Sequence, residues 1–437
     1  MAASNQEAEV PVMQPSSPSR PRCRTRPLTA PSSLRLRTRV VSLTHNNVTY
    51  AALGFLVHWW DAHPLPAGGL TPAPYDDPEK YGRVSAWGYA EVLDSTLAGG
   101  PQKGDFVFGY LPLATLAQDV EFRVDEEVPG HVLSTSAYRA RLMPFYNRYF
   151  TVARDSAVAT QLRAAVQNSS GQNSSSKGFS DDDLGFDALY FALFECGHLV
   201  AKYMFDAQHP VHPGLGPDAP AQTPWTGEMA DLAGATVVLL APASKTALGM
   251  AHELRKQRGG RNGLKRVVGA ASEASRGFVK GTGIYDATVS TAETPDAEFL
   301  AEKLGVDAGA GEKVVLIDCG GRAGVGQNWA AAFRTLCQPG RFLLVGIGSE
   351  AGEHSQEDIL KLFAPKEGGD EKEKEAPWFM QVNTGDLRER AAAQVGRKTV
   401  FEGTEAAYAA FKKEGVKGFK VRWGEGMEAV KGVGEVG

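Results

Sequence analysis

Between Gly234 and Lys256 the chain reads GATVVLLAPASKTALGMAHELRK, and its apolar positions change period at Pro242. Thr236 to Ala241 is a β-branched-rich run without polar alternation, the pattern of a strand covered on both faces in a parallel sheet. Beyond Pro242, Ala247, Leu248, Ala251 and Leu254 recur at helical spacing, which predicts strand, tight turn and helix. The rhythm returns at Lys265–Ala270 (KRVVGA), Tyr285–Ser290 (YDATVS), Lys313–Asp318 (KVVLID) and Arg341–Gly346 (RFLLVG), each followed by a segment able to be helical. Strands alternating with helices imply βαβ units and a doubly wound parallel sheet, in which a ligand sits beyond the carboxyl ends of the strands. A strongly apolar helix is predicted at Asp187–Phe205 before this series. An amphipathic helix, a glycine stop and a short strand are predicted at Glu405–Trp423 after it.

The earlier chain has a different texture. From Leu34, LRLRTRVVSLTHNNVTYAALG alternates and then turns, and β-like pieces follow at Arg83–Val92 and Gly104–Leu113 between Gly and Pro clusters. Short strands with turn signals before any long helix predict a small β-rich or barrel-like domain. The aromatic and basic stretch STSAYRARLMPFYNRYFTV is placed at the junction between the domains. The expected fold class is therefore α/β, a doubly wound parallel sheet plus a β-rich domain. Residues 1–33 read as a disordered tail, 34–165 as the β-rich domain and 166–184 as a low-complexity loop. Residues 185–365 read as the nucleotide-binding domain, 366–377 as a charged exposed insertion and 378–437 as a segment returning to the β-rich domain.

Composition narrows the function classes. A chain of 437 residues that is 43% hydrophobic can bury a large core, and a net charge of −5 gives no electrostatic reason to expect a nucleic-acid partner. The four cysteines, Cys23, Cys196, Cys319 and Cys337, form no CxxC pair, so no disulfide framework or zinc knuckle is expected and a reducing, cytoplasmic setting fits. No uninterrupted apolar stretch approaches membrane-spanning length, so no membrane partner is expected. Glu7 and Glu9 count against a transit peptide in the Arg-rich tail.

The turn after the first parallel strand carries Ser244, Lys245 and Thr246. Small or hydroxylated residues and one cation at a helix N-terminus can seat a phosphate. They can equally be an ordinary cap, with Ser244 as N-cap and Lys245 solvated. The turn is not a P-loop, because the glycines of GxxxxGK[ST] are missing before Lys245.

HNNVTYAALG, AWGYAEV and GDFVFGY, followed by the βαβ series and the closing EAAYAAFKKEGVKGFKV, resemble the medium-chain dehydrogenase/reductase superfamily, which joins a GroES-like domain to a Rossmann domain. ASKTALG, VVGAAS and GTGIYDATV are similar more narrowly to a domain-of-unknown-function family on that scaffold. The resemblance implies a nicotinamide coenzyme held at Ser244, Lys245 and Thr246, although this chain has APASKTALG where the superfamily has a GxGxxG-like turn and retains only Gly249. It implies no zinc, because the cysteine ligand expected after the early strand is replaced by His45 to Tyr50. NNVTY resembles instead the NPVD-type loop of zinc-free quinone and enoyl reductases, so that Asn46 would orient or polarise a carbonyl and Tyr50 would supply a proton. A buried Tyr50 hydroxyl bonded to backbone is the competing reading. Ser272 and Arg276, at the end of the second parallel strand, favour NADP(H) over NAD(H), with Glu273 the ambiguity. In DCGGRAGVGQNW, Gly320 would leave room for the coenzyme and Cys319 is a packing residue. Two functions stay open: a zinc-independent, NADPH-dependent reductase of an unidentified small molecule, and a non-catalytic nucleotide-binding or interaction protein. By analogy with the superfamily, a homodimer is expected.

Overall fold

The computed structural model describes residues 28–66, 71–168, 182–214, 224–257, 263–322, 324–347 and 378–424, with short strand pieces between residues 8 and 23. Most of the expected N-terminal tail and of the low-complexity loop, and all of the charged insertion, lie outside the described residues. The chain divides into two compact units, residues 1–189 with 351–361 and 420–437, and residues 190–350 with 362–419.

The first unit holds a closed antiparallel barrel. Its strands are β1 (Ser33–Val41), β2 (Ser85–Ser95), β3 (Phe106–Pro112), β4 (Gln118–Val124), β5 (His131–Ser134) and β6 (Arg148–Val152), in the order β6-β3-β2-β1-β4-β5. The alternation that predicts β1 sets its faces. Leu34 and Leu36 point into a core with Val92, Val107, Val120, Phe122 and Tyr149, while Arg35 pairs across the register with Asp119 at 2.6 Å. The stretch expected at a domain junction is part of this barrel, since Arg148–Val152 pairs with both β3 and β5 and closes it. Between β1 and β2, His45–Leu53 forms helix α1 rather than the expected loop, and Ala157–Asn168 forms α2 after β6.

The second unit is a six-stranded parallel sheet of β7 (Thr236–Leu240), β8 (Arg266–Ala271), β9 (Ala287–Ser290), β10 (Val314–Asp318), β11 (Phe342–Ile347) and β12 (Phe379–Val382), in the order β9-β8-β7-β10-β11-β12. Every residue of β7 and β11 is buried, as their unbroken apolar runs predict. Helices α4 (Lys245–Lys256), α5 (Glu273–Thr282) and α6 (Val325–Leu336) follow β7, β8 and β10. Val238, Leu240, Val268, Val314, Leu316, Trp329 and Phe333 form one core cluster. Lys313 secures the foot of the sheet by donating to the carbonyls of Glu228, Met229 and Asp231 at 2.8–3.0 Å. Burial lowers its pKa to about 8; three carbonyl acceptors favour the charged ammonium against that cost.

The C-terminal region departs from expectation. Residues 378–419 belong to this second unit, adding β12, α7 (Thr384–Val395) and α8 (Arg397–Glu414), and only residues from 420 onward group with the barrel. Gly415 stops α8 as predicted, but Gly418–Trp423 forms no strand. The apolar helix begins earlier than predicted, as α3 (Asp182–Leu199), and ends in a π-helical turn at Val200–Met204. Contrary to expectation, Asp183–Met204 is long and apolar enough to cross a membrane, but 78% of its most apolar window is buried inside the protein, the condition of a core helix.

Candidate functional site

The strand order reverses between β7 and β10, and this is where a doubly wound sheet opens a crevice at its carboxyl end. Leu240 and Asp318 face each other in register as the last residues of those strands. The chain leaves β7 through Ala241, whose φ of 49° is left-handed, a conformation that glycine accepts freely and alanine does not. The turn is then pinned. Ser244 N–H donates to the Ala241 carbonyl at 2.9 Å, and the buried Tyr285 hydroxyl donates to the Pro242 carbonyl at 2.8 Å.

Ser244 is the N-cap of α4, its Oγ accepting from Ala247 N–H at 3.3 Å. The cap reading is therefore correct for Ser244, and it leaves the N–H groups of Lys245 and Thr246 outside these bonds. Lys245 itself is half-buried, burial lowers its pKa, and it forms no ion pair among the described residues. The retained Gly249 serves helix packing instead. A Cβ there would come within 2.9 Å of Phe194, and one on Gly197 within 2.8 Å of Met250 N, so these glycines let α3 and α4 pack closely.

At the end of β8, Ser272 is the N-cap of α5, with its Oγ 3.1 Å from Ser275 Oγ. Glu273 opens the helix and is exposed. Its carboxylate accepts from Ser290 Oγ at 2.8 Å and pairs with Arg276 at 3.2 Å, and these contacts, the Ser290 hydrogen bond first, hold its pKa below the usual range. Arg276 is thus engaged with the acidic residue that made the sequence ambiguous.

At the end of β10 the glycine-rich stretch wraps a carboxylate. Asp318 Oδ1 accepts from Gly320 N–H at 3.1 Å and Gly321 N–H at 2.7 Å. Gly320 has φ 92° and Gly324, the N-cap of α6, φ 82°, so both occupy backbone that side-chain-bearing residues avoid. Cys319 is half-buried and burial raises its thiol pKa. The sequence reading singled out the glycines and not Asp318; the signal for this turn is an acidic residue ending a buried strand one residue before two glycines.

In the barrel unit, Asn46 and Tyr50 lie one helical turn apart on α1. The neighbouring Asn47 carries the structural bonds: its Oδ1 accepts from Thr44 N–H at 2.6 Å and its Nδ2 donates to the Ser85 carbonyl at 3.0 Å. Tyr50 is 7% exposed, in edge contact with Trp59 and Tyr110 at centroid distances of 4.8 and 5.2 Å. Tyr146 joins them, and burial, followed by the proximity of Tyr50 and Tyr110, raises its phenol pKa well above normal. Trp87 and Tyr110 belong to the same cluster at 5.5 Å, and the Tyr89 hydroxyl donates to Asp187 at 2.8 Å, so all three are packed core.

His63 is buried and neutral. With the Gln118 amide donating to Nδ1 at 2.8 Å, Nε2 donates to the Tyr110 carbonyl at 2.9 Å. Burial, then the Arg139 and Arg83 charges, hold this imidazole well below its usual pKa. Among the described residues, no group of three His, Cys, Asp or Glu side chains is placed to hold a metal ion.

Comparison with solved structures finds the same fold. A point mutant of Etr1p in complex with NADP and crotonyl-CoA aligns with a TM-score of 0.50 and 9% identity, covering 95% of this chain and 91% of that one. A putative NADPH:quinone reductase from Bacillus thuringiensis aligns with a TM-score of 0.49 and 10% identity over 95% and 91% of the two chains. A mutant enoyl thioester reductase from Candida tropicalis aligns with a TM-score of 0.46 and 9% identity over 95% and 92%. No curated protein matches the sequence. The family model described as "Protein of unknown function (DUF2855)" matches residues 41–436, and the chain belongs to that family.

Proposed function

We propose that this chain is a zinc-independent, NADPH-dependent oxidoreductase that reduces a carbonyl or an activated double bond of a small molecule. The observation that carries the reading is the unused binding capacity at the head of α4. Two N–H groups and one desolvated cation without an ion-pair partner among the described residues stand at the carboxyl end of β7, beside the point where strand order reverses. Ser244, Lys245 and Thr246 hold the coenzyme diphosphate, Ser272 and Arg276 the 2′-phosphate, and Gly320 leaves space beside β10. A reductase crystallised with NADP and crotonyl-CoA shares the fold. The coenzyme supplies a hydride when bound. Asn46 orients the substrate carbonyl, and Tyr50 releases the proton that the reduced oxygen or carbon takes up. The reading includes a cytoplasmic location and a homodimer.

A second reading, a nucleotide-binding protein without turnover, is favoured by one specific observation: Tyr50 is packed among Trp59, Tyr110 and Tyr146, on the inward side of α1. Fluorescence titration with NADPH, NADH and ATP, followed by absorbance of NADPH over quinones, enones and aldehydes, separates them. Consumption abolished by Tyr50→Phe supports the reductase. Binding with no consumption across the panel supports the second reading. Binding of no nucleotide sinks both.

A further inference from the structure

The turn that leaves β7 is braced by a residue outside it. Tyr285, just before β9, is buried, and its hydroxyl donates to the Pro242 carbonyl at 2.8 Å. Gly269, in the middle of β8, makes room for this contact. A Cβ there would lie 3.1 Å from the Pro242 ring, from the Tyr285 ring and from Val279 of α5, so the missing side chain lets proline and tyrosine settle on the strand. The turn itself closes through Ser244 N–H, which donates to the Ala241 carbonyl at 2.9 Å, and Pro242 fixes its own φ. Neither constraint sets the middle peptide, Pro242–Ala243. Type I and type II turns share the closing bond and the proline position, and differ by a flip of that peptide. The Tyr285 hydroxyl holds it in one of the two orientations.

A trans peptide is planar, with its C=O and N–H pointing in opposite directions. Holding the Pro242 carbonyl on the buried phenol therefore turns the Ala243 N–H the other way, and that N–H takes no acceptor among the described residues. In the flipped turn the Pro242 oxygen would stand about where this N–H stands, and an anion at the head of α4 would meet an acceptor in place of a donor. We propose that Tyr285 is a positioning residue for the coenzyme diphosphate: it presents Ala243 N–H, which joins the N–H groups of Lys245 and Thr246 in one anion-binding nest. This rests on the nucleotide reading above and deepens it. A glycine-rich turn reaches its anion-binding shape through conformational freedom, whereas this turn, with alanine and proline at its start, reaches it through constraint.

The test is isothermal titration of the full chain with inorganic pyrophosphate and with NADPH, alongside the Ala243 amide resonance, isolated by paired isotope labelling of the prolyl carbonyl and the alanyl nitrogen. Tyr285→Phe deletes one hydroxyl and keeps the ring on Gly269. It is expected to weaken pyrophosphate and NADPH by the same factor, about 3-fold to 10-fold, the worth of one hydrogen bond. In the wild type the Ala243 resonance should move downfield as pyrophosphate binds, and in Tyr285→Phe that movement should shrink. A merely structural hydroxyl would lower the urea midpoint of unfolding and leave both the affinities and the Ala243 response as they are, which overturns the proposal. Weaker binding with an unchanged Ala243 response overturns it as well, because the loss would then not pass through this peptide. An Ala243 resonance that ignores pyrophosphate in the wild type overturns it without any variant, which covers the case in which Tyr285→Phe does not fold. Wild-type protein that binds neither ligand overturns the nucleotide reading itself, whereas wild-type binding with an indifferent Tyr285→Phe overturns this inference alone.

Discussion

The two units hold polar groups in opposite ways. In the barrel, the side chains that look chemically eligible are consumed by the fold: His63 has both ring nitrogens bonded, Asn47 caps α1 and ties it to β2, and Tyr50 is walled by Trp59, Tyr110 and Tyr146. At the carboxyl ends of the parallel strands, two side chains keep something in reserve: among the described residues Lys245 forms no ion pair, and only one oxygen of Asp318 is hydrogen-bonded. Buried polar groups are normally satisfied, so residual capacity at a strand-order reversal marks a ligand site better than the presence of a reactive residue type does. The coenzyme half of the proposed function therefore rests on firmer physical ground than its acid–base half.

The comparison breaks most directly at Trp87. It is 8% exposed and touches Tyr110 and Phe145 at centroid distances of 5.5 and 4.9 Å. If the aromatic cluster is core, Trp87→Ala lowers unfolding free energy by ~3–5 kcal/mol in urea titration. A loss below ~1 kcal/mol with a large change in substrate KM would instead make the cluster a binding wall.

A second test lies in the other unit, away from its strand ends. Burial alone would raise the Glu253 pKa, but hydrogen bonds from His198 at 2.8 Å and His252 at 3.0 Å bring it down to about 2 from the usual 4.5. A carboxylate depressed on folding stabilises at pH above its unfolded value and loses that contribution as pH falls from about 4.5 toward 2. The shift corresponds to roughly 3 kcal/mol. Glu253→Gln is expected to flatten the pH dependence of unfolding free energy in that window and to leave NADPH affinity at neutral pH unchanged. Equal acid sensitivity in the variant would show that these hydrogen bonds do not set acid stability.

What the sequence discloses follows from how continuous each signal is. Apolar runs place β7, β8, β10 and β11 within a residue or two, because burial on both faces forbids polar interruption, while β9, whose Ala-Thr-Val-Ser is half polar, is placed by its position in the strand–helix series. β12 is missed because FMQV is short, alternates, and lies beside a charged stretch, as an edge strand can. α1 is missed because Asn46, Asn47, Val48 and Thr49 are poor helix formers, and the helix stands on the Thr44–Asn47 capping bond and the packing of Tyr50. Read as a loop, the segment carries no face information, so the structural duty of Asn47 could not be told from the expected role of Asn46. The turn proposed to seat the coenzyme at Ser244 to Thr246 is legible from strand, turn and helix order alone. Asp318 requires the register with Leu240, which pairing supplies and the chain does not.

Ala241 gives a smaller and sharper effect. Its φ of 49° strains an alanine and would not strain a glycine, so Ala241→Gly should raise stability by about 0.5–1 kcal/mol while pyrophosphate affinity is retained. If the variant is instead less stable and binds pyrophosphate poorly, the left-handed turn depends on the alanine methyl and the seat is more than backbone.

The smallest expected effect concerns the exposed end of the site. Arg276 and Glu273 pair at 3.2 Å with 46% and 68% of their side chains exposed, while Ser290 also holds the carboxylate. An incoming 2′-phosphate meets Glu273 as a like charge and competes with it for Arg276, whereas a ribose 2′-hydroxyl can donate to that carboxylate. Glu273→Gln should therefore shift the NADPH to NADH affinity ratio toward NADPH by a few-fold, and Arg276→Ala should shift it the other way. Both shifts should shrink at high salt, because exposed pairs are screened as the buried hydrogen bonds of the barrel are not. Fluorescence titrations with both coenzymes at low and high ionic strength read this directly. Parallel changes for NADPH and NADH would mean that the end of β8 does not touch the ribose, and coenzyme choice would then have to be sought at Ser272 and Ser275.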